Sequence, residues 1–287
     1  MVMFDRTLPG ARRSLIVAAG GAVALVAVLL LLGAARPTVV LDPGHGGKEP
    51  GAIGGDLVER DSNLDMALRV RAILQRRGVR VVMTRTTDGR AQGLDTSKMD
   101  EATQTFADLQ ARVARVNAVN ADVFVSLHSN SFSDPGVRGI EAWYNAGRSF
   151  GDRNRALAGL VQSGIVEALR DAGFDAPDGA ARDEAGQVDG RGRTTPFFLL
   201  GPERDVSRQE LAQRGVDPEA IGLSPEAGAY RAAATNAPGV LLELLYLSNP
   251  HDVALLQDEA ARDAMARGIA EAILKFLDAP ADAAPAR

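Results

Sequence analysis

The sequence of 287 residues contains no cysteine, which excludes disulfide bonds and metal sites built on thiolates. Any zinc ion would therefore have to bind histidine nitrogen and carboxylate oxygen. Histidine occurs three times, as His45, His128 and His251. The apolar and charged fractions, 46% and 24%, are ordinary for a globular protein, and the length allows one large domain or two small ones.

A surplus of basic residues is also lacking. Residues 1–37 contain four of the 32 Lys and Arg residues and one of the 37 Asp and Glu residues. The remaining chain carries 28 basic and 36 acidic residues, a formal net charge of −8. Because nucleic-acid-binding domains depend on a basic surface, this balance indicates that nucleic acid is not a partner.

Charged residues are absent from a stretch of 21 residues, Leu15–Ala35. A helix of that length spans roughly 30 Å, about the hydrocarbon thickness of a bilayer. Three arginines within 6–13 precede the stretch and predict a cytoplasmic N-terminus, with the rest of the chain exported. Residues 1–37 are therefore expected to be a cytoplasmic N-terminus with a signal anchor. The alternative is a signal peptide cleaved near Gly33–Ala35.

The motif VVLDPGHGG, at positions 39–47, organises the rest of the chain. Val39–Leu41 is an apolar run typical of a buried strand, and the Asp, Pro and Gly residues that follow indicate a tight loop. Glycines keep such a loop thin, so His45 could reach a ligand. Two other apolar runs also end in a single reactive residue: VFVSLHSN contains His128, and GVLLELLYLSN contains Glu243.

Strand-like apolar runs alternate with amphipathic segments along the chain. This alternation predicts one α/β domain, residues 38–278, around a largely parallel sheet. The expected strands are Val39–Leu41, Val79–Thr84, Val123–Leu127, Gly139–Tyr144, Phe197–Leu200 and Val240–Leu245.

Helices are expected between these strands. Ser62 is predicted to cap the first helix, and Gly78 to end it. Segments 86–108 and 175–194 are polar or rich in turn residues and are expected to be loops. The other predicted helices contain Leu109–Val116 or cover Asn154–Ala172, 205–213, 225–235 and Met265–Phe276, and the tail 279–287 is expected to be disordered.

Sites in an open α/β sheet form beyond the carboxyl ends of the strands. His45, His128 and Glu243 each lie at or just after such an end, so the fold would bring them together. Two histidines and a carboxylate are typical of a catalytic zinc site in which water takes the fourth position. A further ligand is expected from a loop near His45. The candidates are Glu59, which is favoured, and Asp42, Glu49 and Asp61.

Glu243 is the most unusual of these residues because of its sequence neighbours. It lies within the leucine-rich segment Leu241–Leu245. Burial of a carboxylate is costly unless the group is paired or bound to a metal ion, so a carboxylate at this position indicates a functional site. Exposure on a half-buried strand is the alternative.

Five motifs occur in order between Val39 and Leu277: DPGHGGKEPGAIG, VERDSNLDMALRV, TRTTD, ADVFVSLHSN and PGVLLELLYLSNP. This series resembles the zinc-dependent N-acetylmuramoyl-L-alanine amidases, the amidase-3 family of cell-wall hydrolases. The resemblance implies a single α/β domain with a mixed sheet flanked by helices. It also implies hydrolysis of the amide between the lactyl group of N-acetylmuramic acid and L-alanine of the peptidoglycan stem peptide.

The resemblance further implies a Zn²⁺ cofactor bound by His45, Glu59 and His128, with Glu243 as the catalytic carboxylate. Elementary chemistry agrees with these roles. Zinc lowers the pKa of a bound water towards about 7. Glu243 would accept the released proton and pass it to the departing amine of alanine.

Other residues near the motifs have weaker signals. Asp42 is expected to orient the ligands or to form the turn, and Asn130 to orient the neighbouring histidine or contact the substrate. His251 is expected in a surface loop. Trp143 and Tyr144 are expected in the core or in the wall of a groove.

The sequence departs from the family at two places. Glu49 occupies a position where Asp is usual, and the segment 201–238 is longer than in typical members. The long segment could be a lid or a contact for a regulatory protein, acting through Glu203, Glu210 or Glu226. A passive surface insertion is the alternative.

The sequence therefore predicts an exported zinc amidase of the cell envelope. Its catalytic domain would lie outside the cytoplasmic membrane, anchored by the N-terminal helix or secreted after cleavage. One alternative is an inactive relative that binds peptidoglycan and regulates wall hydrolysis, although retention of all four site residues argues against it. The other is a different zinc hydrolase, such as a carboxypeptidase or deacetylase. A carboxypeptidase would need an arginine for the terminal carboxylate of its substrate.

Overall fold

The computed structural model describes residues 36–91, 93–177, 179–184 and 199–279. Its strands are β1 (Thr38–Pro43), β2 (Ile53–Gly54), β3 (Leu57–Val58), β4 (Arg80–Met83), β5 (Val123–Asn130), β6 (Ile140–Tyr144), β7 (Ala180–Asp183), β8 (Arg204–Ser207), β9 (Ala229–Ala232) and β10 (Gly239–Tyr246). Its helices are α1 (Glu59–Arg76), α2 (Glu101–Ala118), α3 (Gly151–Asp171), α4 (Arg208–Gln213), α5 (Pro250–Gln257) and α6 (Glu259–Asp278).

The central sheet has the strand order β4-β1-β5-β10-β6-β7. The pairs β4–β1, β1–β5, β5–β10 and β6–β7 are parallel, whereas β10 and β6 are antiparallel. The structure therefore confirms the predicted α/β class with a mixed and largely parallel sheet. Parallel pairing also brings the carboxyl ends of β1, β5 and β10 to one edge of the sheet.

Helices cover both faces of the sheet, because successive side chains of a buried strand point in opposite directions. On one face, Val39 and Leu41 of β1 belong to a buried apolar cluster with residues of α1, α3 and α6. On the other face, Val40 packs in a second cluster with Val113 and Val116 of α2. This second cluster places α2 against this face of the sheet.

The start of α1 differs from the prediction. The helix begins at Glu59 rather than after Ser62, and its N-cap residue, Val58, makes no side-chain capping bond. The preceding hairpin of β2 and β3 determines the start, because the Glu59 amide donates to the carbonyl of Ala52 at 2.9 Å. The Ser62 hydroxyl instead donates to the carbonyl of Glu59. A tertiary contact has overridden a local capping signal.

Two segments predicted to be loops contain regular structure. Residues 180–183 form β7, which pairs with β6, so backbone pairing at the sheet edge forms a strand without an apolar run. The last part of 86–108 belongs to α2, whose N-cap Asp100 accepts from the amide of Thr103 at 2.9 Å. In the predicted strand 197–200, positions 199 and 200 form a turn, and the other two residues lie outside the described part.

The long segment 201–238 is also different from its prediction. The first expected helix, 205–213, is helical only over Arg208–Gln213 (α4), after the strand β8, and the second, 225–235, contains β9, which pairs antiparallel with β8. Val206, Leu211 and Val216 form an apolar cluster that includes Phe106 of α2. This cluster joins β8, β9 and α4 to α2.

The predicted membrane anchor and all but the first residue of the predicted tail, within 1–35 and 280–287, lie outside the described residues. None of the described helices is both long enough and apolar enough to span a bilayer.

Candidate metal centre

His45, Glu59 and His128 come together at the carboxyl edge of the sheet. The Glu59 Oε1 atom lies 3.0 Å from His45 Nε2 and 3.0 Å from His128 Nδ1. One ligand atom from each residue lies within 4.8 Å of the others. Two imidazole nitrogens and a carboxylate oxygen at such distances form a site suited to a divalent metal ion.

Backbone conformation brings His45 to this position. Its φ angle is +61°, in the left-handed region that residues other than glycine rarely adopt. Gly44 packs against the ring of His128, because a Cβ atom at position 44 would lie 2.2 Å from His128 Nε2. The small residue before His45 therefore permits the two imidazoles to approach, with ring centroids 4.9 Å apart.

Two buried arginines hold this loop through its carbonyl groups. Arg85 donates to the carbonyls of Pro43 and Gly44, each at 2.9 Å. Arg112 donates to the carbonyls of Pro43 at 2.7 Å and His45 at 2.6 Å. The unusual backbone of His45 is thus fixed by charge-assisted hydrogen bonds from the segment after β4 and from α2.

Asp42 neutralises the charge of Arg112 and is not one of the three residues that could bind the metal ion. It is fully buried and accepts from Arg112 at 2.8 Å, from the Thr84 hydroxyl at 2.6 Å and from the Ser126 hydroxyl at 2.7 Å. Burial raises the pKa of Asp42, but Arg112 and the two hydroxyls outweigh it, so the pKa lies below the ordinary value. The structure therefore places Asp42 where it orients the His45 loop.

Glu59 is surrounded by hydrogen-bond donors. Its Oε2 atom accepts from the amide of Ala52 at 2.8 Å, and Oε1 accepts from the amide of Ser129 at 3.1 Å. Burial raises the pKa of Glu59, but His128 and His45 outweigh this effect and hold the pKa well below the usual range. The carboxylate is thus ionised and aimed at both histidines.

His45 has the opposite shift. Burial lowers its pKa, but the carboxylates of Glu49 and Glu59 outweigh burial and raise the pKa to about 9 in the metal-free protein. The Glu49 Oε1 atom lies 3.4 Å from His45 Nδ1, the ring nitrogen that does not face Glu59. Glu49 therefore contacts the outer side of His45, and a metal ion must displace the proton from the inner side.

Glu243 lies beside this group on the neighbouring strand. It is in register with His128 of β5 and with Glu141 of β6. Its Oε2 atom is buried and makes no hydrogen bond among the described residues. Burial, together with the charges of Glu59 and Glu141, raises the pKa of Glu243 to about 8 against the opposing effect of His45. A carboxylate in this environment binds a proton readily.

A β-bulge follows Glu243. The register between β10 and β5 shifts between Glu243 and Tyr246, and Leu245 has a φ angle of +79°. Bulges commonly re-aim side chains next to active sites, and this one lies directly after the buried carboxylate.

The remaining predicted residues lie outside the three-residue group. Asp61 is 54% exposed and pairs with Arg60, so it does not compete with Glu59. Asn130 accepts from the amide of Ser131, and its carbonyl accepts from Leu247 at 2.8 Å. His251 is exposed, in the first turn of α5 rather than in a loop.

Trp143 and Tyr144 are both 8% exposed and belong to the core.

Sequence reasoning missed Arg85 and Arg112, the two arginines that bind the carbonyls of the loop containing His45. Arg85 lies within the TRTTD motif, whereas no sequence signal indicated that Arg112 would be buried.

Comparison with known proteins decides the family. Residues 39–185 and 203–275 match the family model described as N-acetylmuramoyl-L-alanine amidase (Amidase_3). The chain belongs to this amidase family. Membership confirms the family and the enzyme class that the sequence motifs predicted.

Curated amidases match along most of the chain. N-acetylmuramoyl-L-alanine amidase AmiC of Neisseria meningitidis is 30% identical over 246 residues, which cover 85% of this chain and 53% of that protein. The germination-specific N-acetylmuramoyl-L-alanine amidase of Bacillus subtilis is 26% identical over 249 residues, 85% of this chain and 81% of that protein. The chain thus spans about half the length of the first amidase and most of the second.

Solved amidase structures share the fold. AmiC2 of Nostoc punctiforme aligns with a TM-score of 0.58 at 29% identity, covering 86% of this chain and 100% of that one. The CwlD amidase of Clostridioides difficile, solved in complex with the GerS lipoprotein, aligns with a TM-score of 0.61 over 84% of this chain and 98% of that one. Its identity of 23% supports similarity of fold alone.

Proposed function

We propose that this amidase uses zinc to hydrolyse the bond between N-acetylmuramic acid and L-alanine in peptidoglycan. The observation that supports the proposal most directly is the meeting of His45, Glu59 and His128 within 4.8 Å, with Glu243 on the adjoining strand. Three protein ligands beside a buried carboxylate are characteristic of metal-assisted hydrolysis.

The three donors fit zinc better than they fit a hard cation. Two imidazole nitrogens suit zinc, whereas calcium and magnesium prefer sites built from oxygen. When bound, zinc supplies a water nucleophile at neutral pH and polarises the scissile carbonyl. His45, Glu59 and His128 are the residues that would hold it.

Glu243 is proposed as the general base and acid. Its buried carboxylate takes the proton of the attacking water, because no competing donor occupies Oε2 in the described structure. Burial, which raises the pKa of Glu243, then favours the protonated carboxyl until the amine of L-alanine departs and receives the proton.

Digestion of purified sacculi tests the proposal. The full chain, purified in mild detergent and loaded with zinc, should release peptides that begin with L-alanine and leave the glycan intact, as read by mass spectrometry. Chelator should abolish release. Loss of a C-terminal amino acid from the stem peptide would favour a carboxypeptidase, and binding to sacculi without any product would favour an inactive regulator.

We infer that the catalytic domain acts outside the cytoplasmic membrane, tethered by Leu15–Ala35. The uncharged sequence of this segment and the arginines before it support the inference. Membrane fractions should retain the chain after a wash with high salt, and external protease should digest it in spheroplasts. Release of a shortened chain into the medium would show cleavage instead.

We also propose that 201–238 provides a contact surface for a regulatory protein. Glu203 and Glu210, two of its predicted acidic contacts, pair with arginines inside the segment. The third, Glu226, is exposed. Cross-linking from Glu226→Cys in cells should capture a partner. If a Glu259→Cys control on α6 captures the same partner, the contact is not specific to this segment.

A further inference from the structure

Two large hydrophobic side chains are exposed in the described part of the chain: Ile53 by 63% and Phe132 by 55%. Single exposed hydrophobic residues are normal on protein surfaces and need no explanation. These two are unusual in their position, because each lies close in the chain to a backbone amide that binds the carboxylate of Glu59.

Ile53 lies close to the candidate metal centre because its neighbour Ala52 binds Glu59. The Ala52 amide donates to Glu59 Oε2 at 2.8 Å, and Ile53 is the next residue. Because consecutive Cα atoms are about 3.8 Å apart, the Cα atom of Ile53 lies within about 8 Å of the Glu59 carboxylate.

Phe132 lies close in the chain to an amide that binds the other oxygen of the Glu59 carboxylate. The Ser129 amide donates to Glu59 Oε1 at 3.1 Å, and Phe132 follows three residues later. A fully extended chain would place the Cα atom of Phe132 within about 15 Å of the carboxylate. A substrate made of a sugar and a peptide is long enough to reach both side chains from the metal centre.

The two exposed residues are anchored to one segment. Gly54, next to Ile53, packs so closely on the carbonyl of Leu247 that a Cβ atom there would lie 2.1 Å from the oxygen. The amide of Phe132 donates to the hydroxyl of Ser248 at 3.0 Å. Leu247 and Ser248 follow β10, the strand that carries Glu243. Ile53 and Phe132 are therefore both attached to the segment that leaves β10 at the carboxyl edge of the sheet.

We propose that Ile53 and Phe132 form an apolar binding surface for the N-acetylmuramoyl side of the substrate. This inference rests on the proposed amidase function. The sugar side offers a ring face of C–H groups and the methyl groups of the acetyl and lactyl substituents, which match an aromatic ring and a branched aliphatic chain. The peptide beyond L-alanine carries ionised groups, which an apolar surface would not favour.

Two soluble substrates test the proposal on the full, zinc-loaded chain. One is N-acetylmuramoyl-peptide, and the other is the same peptide with only a lactyl group on L-alanine. Phe132→Ser should raise KM for the first substrate about tenfold, which corresponds to about 1.4 kcal/mol, and leave kcat within about twofold. KM for the lactyl peptide should not change.

Matched variants separate aromatic contact from general apolar burial. Phe132→Tyr keeps the ring and should bind like the unmodified chain, whereas Phe132→Leu should be intermediate. Ile53→Ser should act in the same direction as Phe132→Ser. Because both side chains are exposed, all four variants should melt at the unmodified temperature. Dissociation constants measured in a Glu243→Gln background should change in parallel with KM.

An equal loss on both substrates would contradict the assignment to the sugar side. Unchanged KM and dissociation constants for Phe132→Ser and Ile53→Ser would overturn the binding surface itself. Failure of the unmodified chain to cleave either substrate would instead count against the amidase proposal. The binding measurements in the Glu243→Gln background would still test the surface in that case.

Discussion

Two buried carboxylates at the carboxyl edge of the sheet have opposite surroundings. Glu59 accepts hydrogen bonds from two backbone amides and faces two imidazoles, so its pKa lies well below the usual range. Glu243 has no donor for Oε2 in the described structure, and its pKa is raised to about 8. Environments that push two carboxyl pKa values apart suit different tasks, and these two agree with the roles proposed for Glu59 as a metal ligand and Glu243 as a proton carrier.

Glu243→Gln should separate metal binding from catalysis. The amide has the same shape but cannot accept the proton, so turnover on sacculi should fall by about 10²–10⁴-fold. Zinc affinity, measured by competition with a chromophoric chelator, should stay within about threefold because the three ligands are unchanged. Glu271→Gln, on the exposed side of α6, is the matched control and should retain activity. A Glu243→Gln enzyme with normal turnover would remove this residue from the mechanism.

The metal-free protein should lose stability as pH rises from 6 to 9. The pKa of His45 is about 9 against 6.5 in the unfolded chain, and the pKa of Glu243 is about 8 against 4.5. Both groups bind protons more tightly when folded. Their stabilisation is therefore complete below the unfolded values, 6.5 and 4.5, and is lost as pH rises through about 9 and 8.

Calorimetry of the chelated protein at several pH values would measure this trend as a falling Tm. Zinc affinity should have the opposite pH dependence, because the ion must displace the proton of His45. A metal-free Tm that rises between pH 6 and pH 9 would contradict the assigned environments of His45 and Glu243.

At the scale of structural elements, the loop after β1 determines the geometry of the centre. Gly44 of this loop allows close approach to His128 of β5, and the loop carbonyls accept from Arg85 of the segment after β4 and from Arg112 of α2. Asp42 neutralises Arg112 inside the fold at 2.8 Å. The loop is therefore held by two neighbouring elements before any ligand binds.

Gly44→Ala should weaken metal binding while leaving the fold intact. The new methyl group would lie 2.2 Å from the ring of His128, so the imidazole must move. We expect zinc affinity to fall by about 10–100-fold and the free energy of unfolding to fall by about 1–3 kcal/mol.

Gly159→Ala on α3 is a suitable control for this substitution. Among the described residues, no atom outside the adjacent helical backbone lies within 4 Å of the added Cβ, and the residue is inside a helix. This variant should gain about 0.5–1 kcal/mol and keep its zinc affinity. If Gly44→Ala bound zinc as tightly as this control, close packing at residue 44 would not position His128.

At the scale of the whole molecule, the proposed ligands connect distant parts of the chain. His45 follows β1, Glu59 begins α1 and His128 lies on β5. An unfolded chain cannot hold these three groups together, so metal binding should stabilise the folded state alone.

Zinc removal should therefore lower the melting temperature. At a free zinc concentration of about 1,000 times Kd, binding contributes about 4 kcal/mol, which corresponds to roughly 8–16 °C in Tm for a domain of this size. His128→Ala should melt at a temperature that does not depend on zinc. An equal zinc response in that variant would place the bound ion elsewhere.

Particular residues show how far sequence reasoning reaches. His45 and His128 were predicted to meet because each follows a recognisable buried strand, and strand ends share one edge of a parallel sheet. Ser62 predicts a later start for α1 than the structure has, because a hairpin contact to Ala52 overrides that capping signal. The strand β7 was missed because pairing with β6, rather than local composition, creates it.

The sequence by itself determined the fold class, the family and the order of the residues that bear the chemistry. Apolar runs, turn residues and motifs are local, so they can be read without coordinates. Only the tertiary structure decided that Arg85 and Arg112 hold the His45 loop, that Glu59 faces both histidines, and that Ile53 and Phe132 remain exposed. Burial and pairing of these side chains depend on contacts between residues far apart in the chain, and local patterns do not encode such contacts.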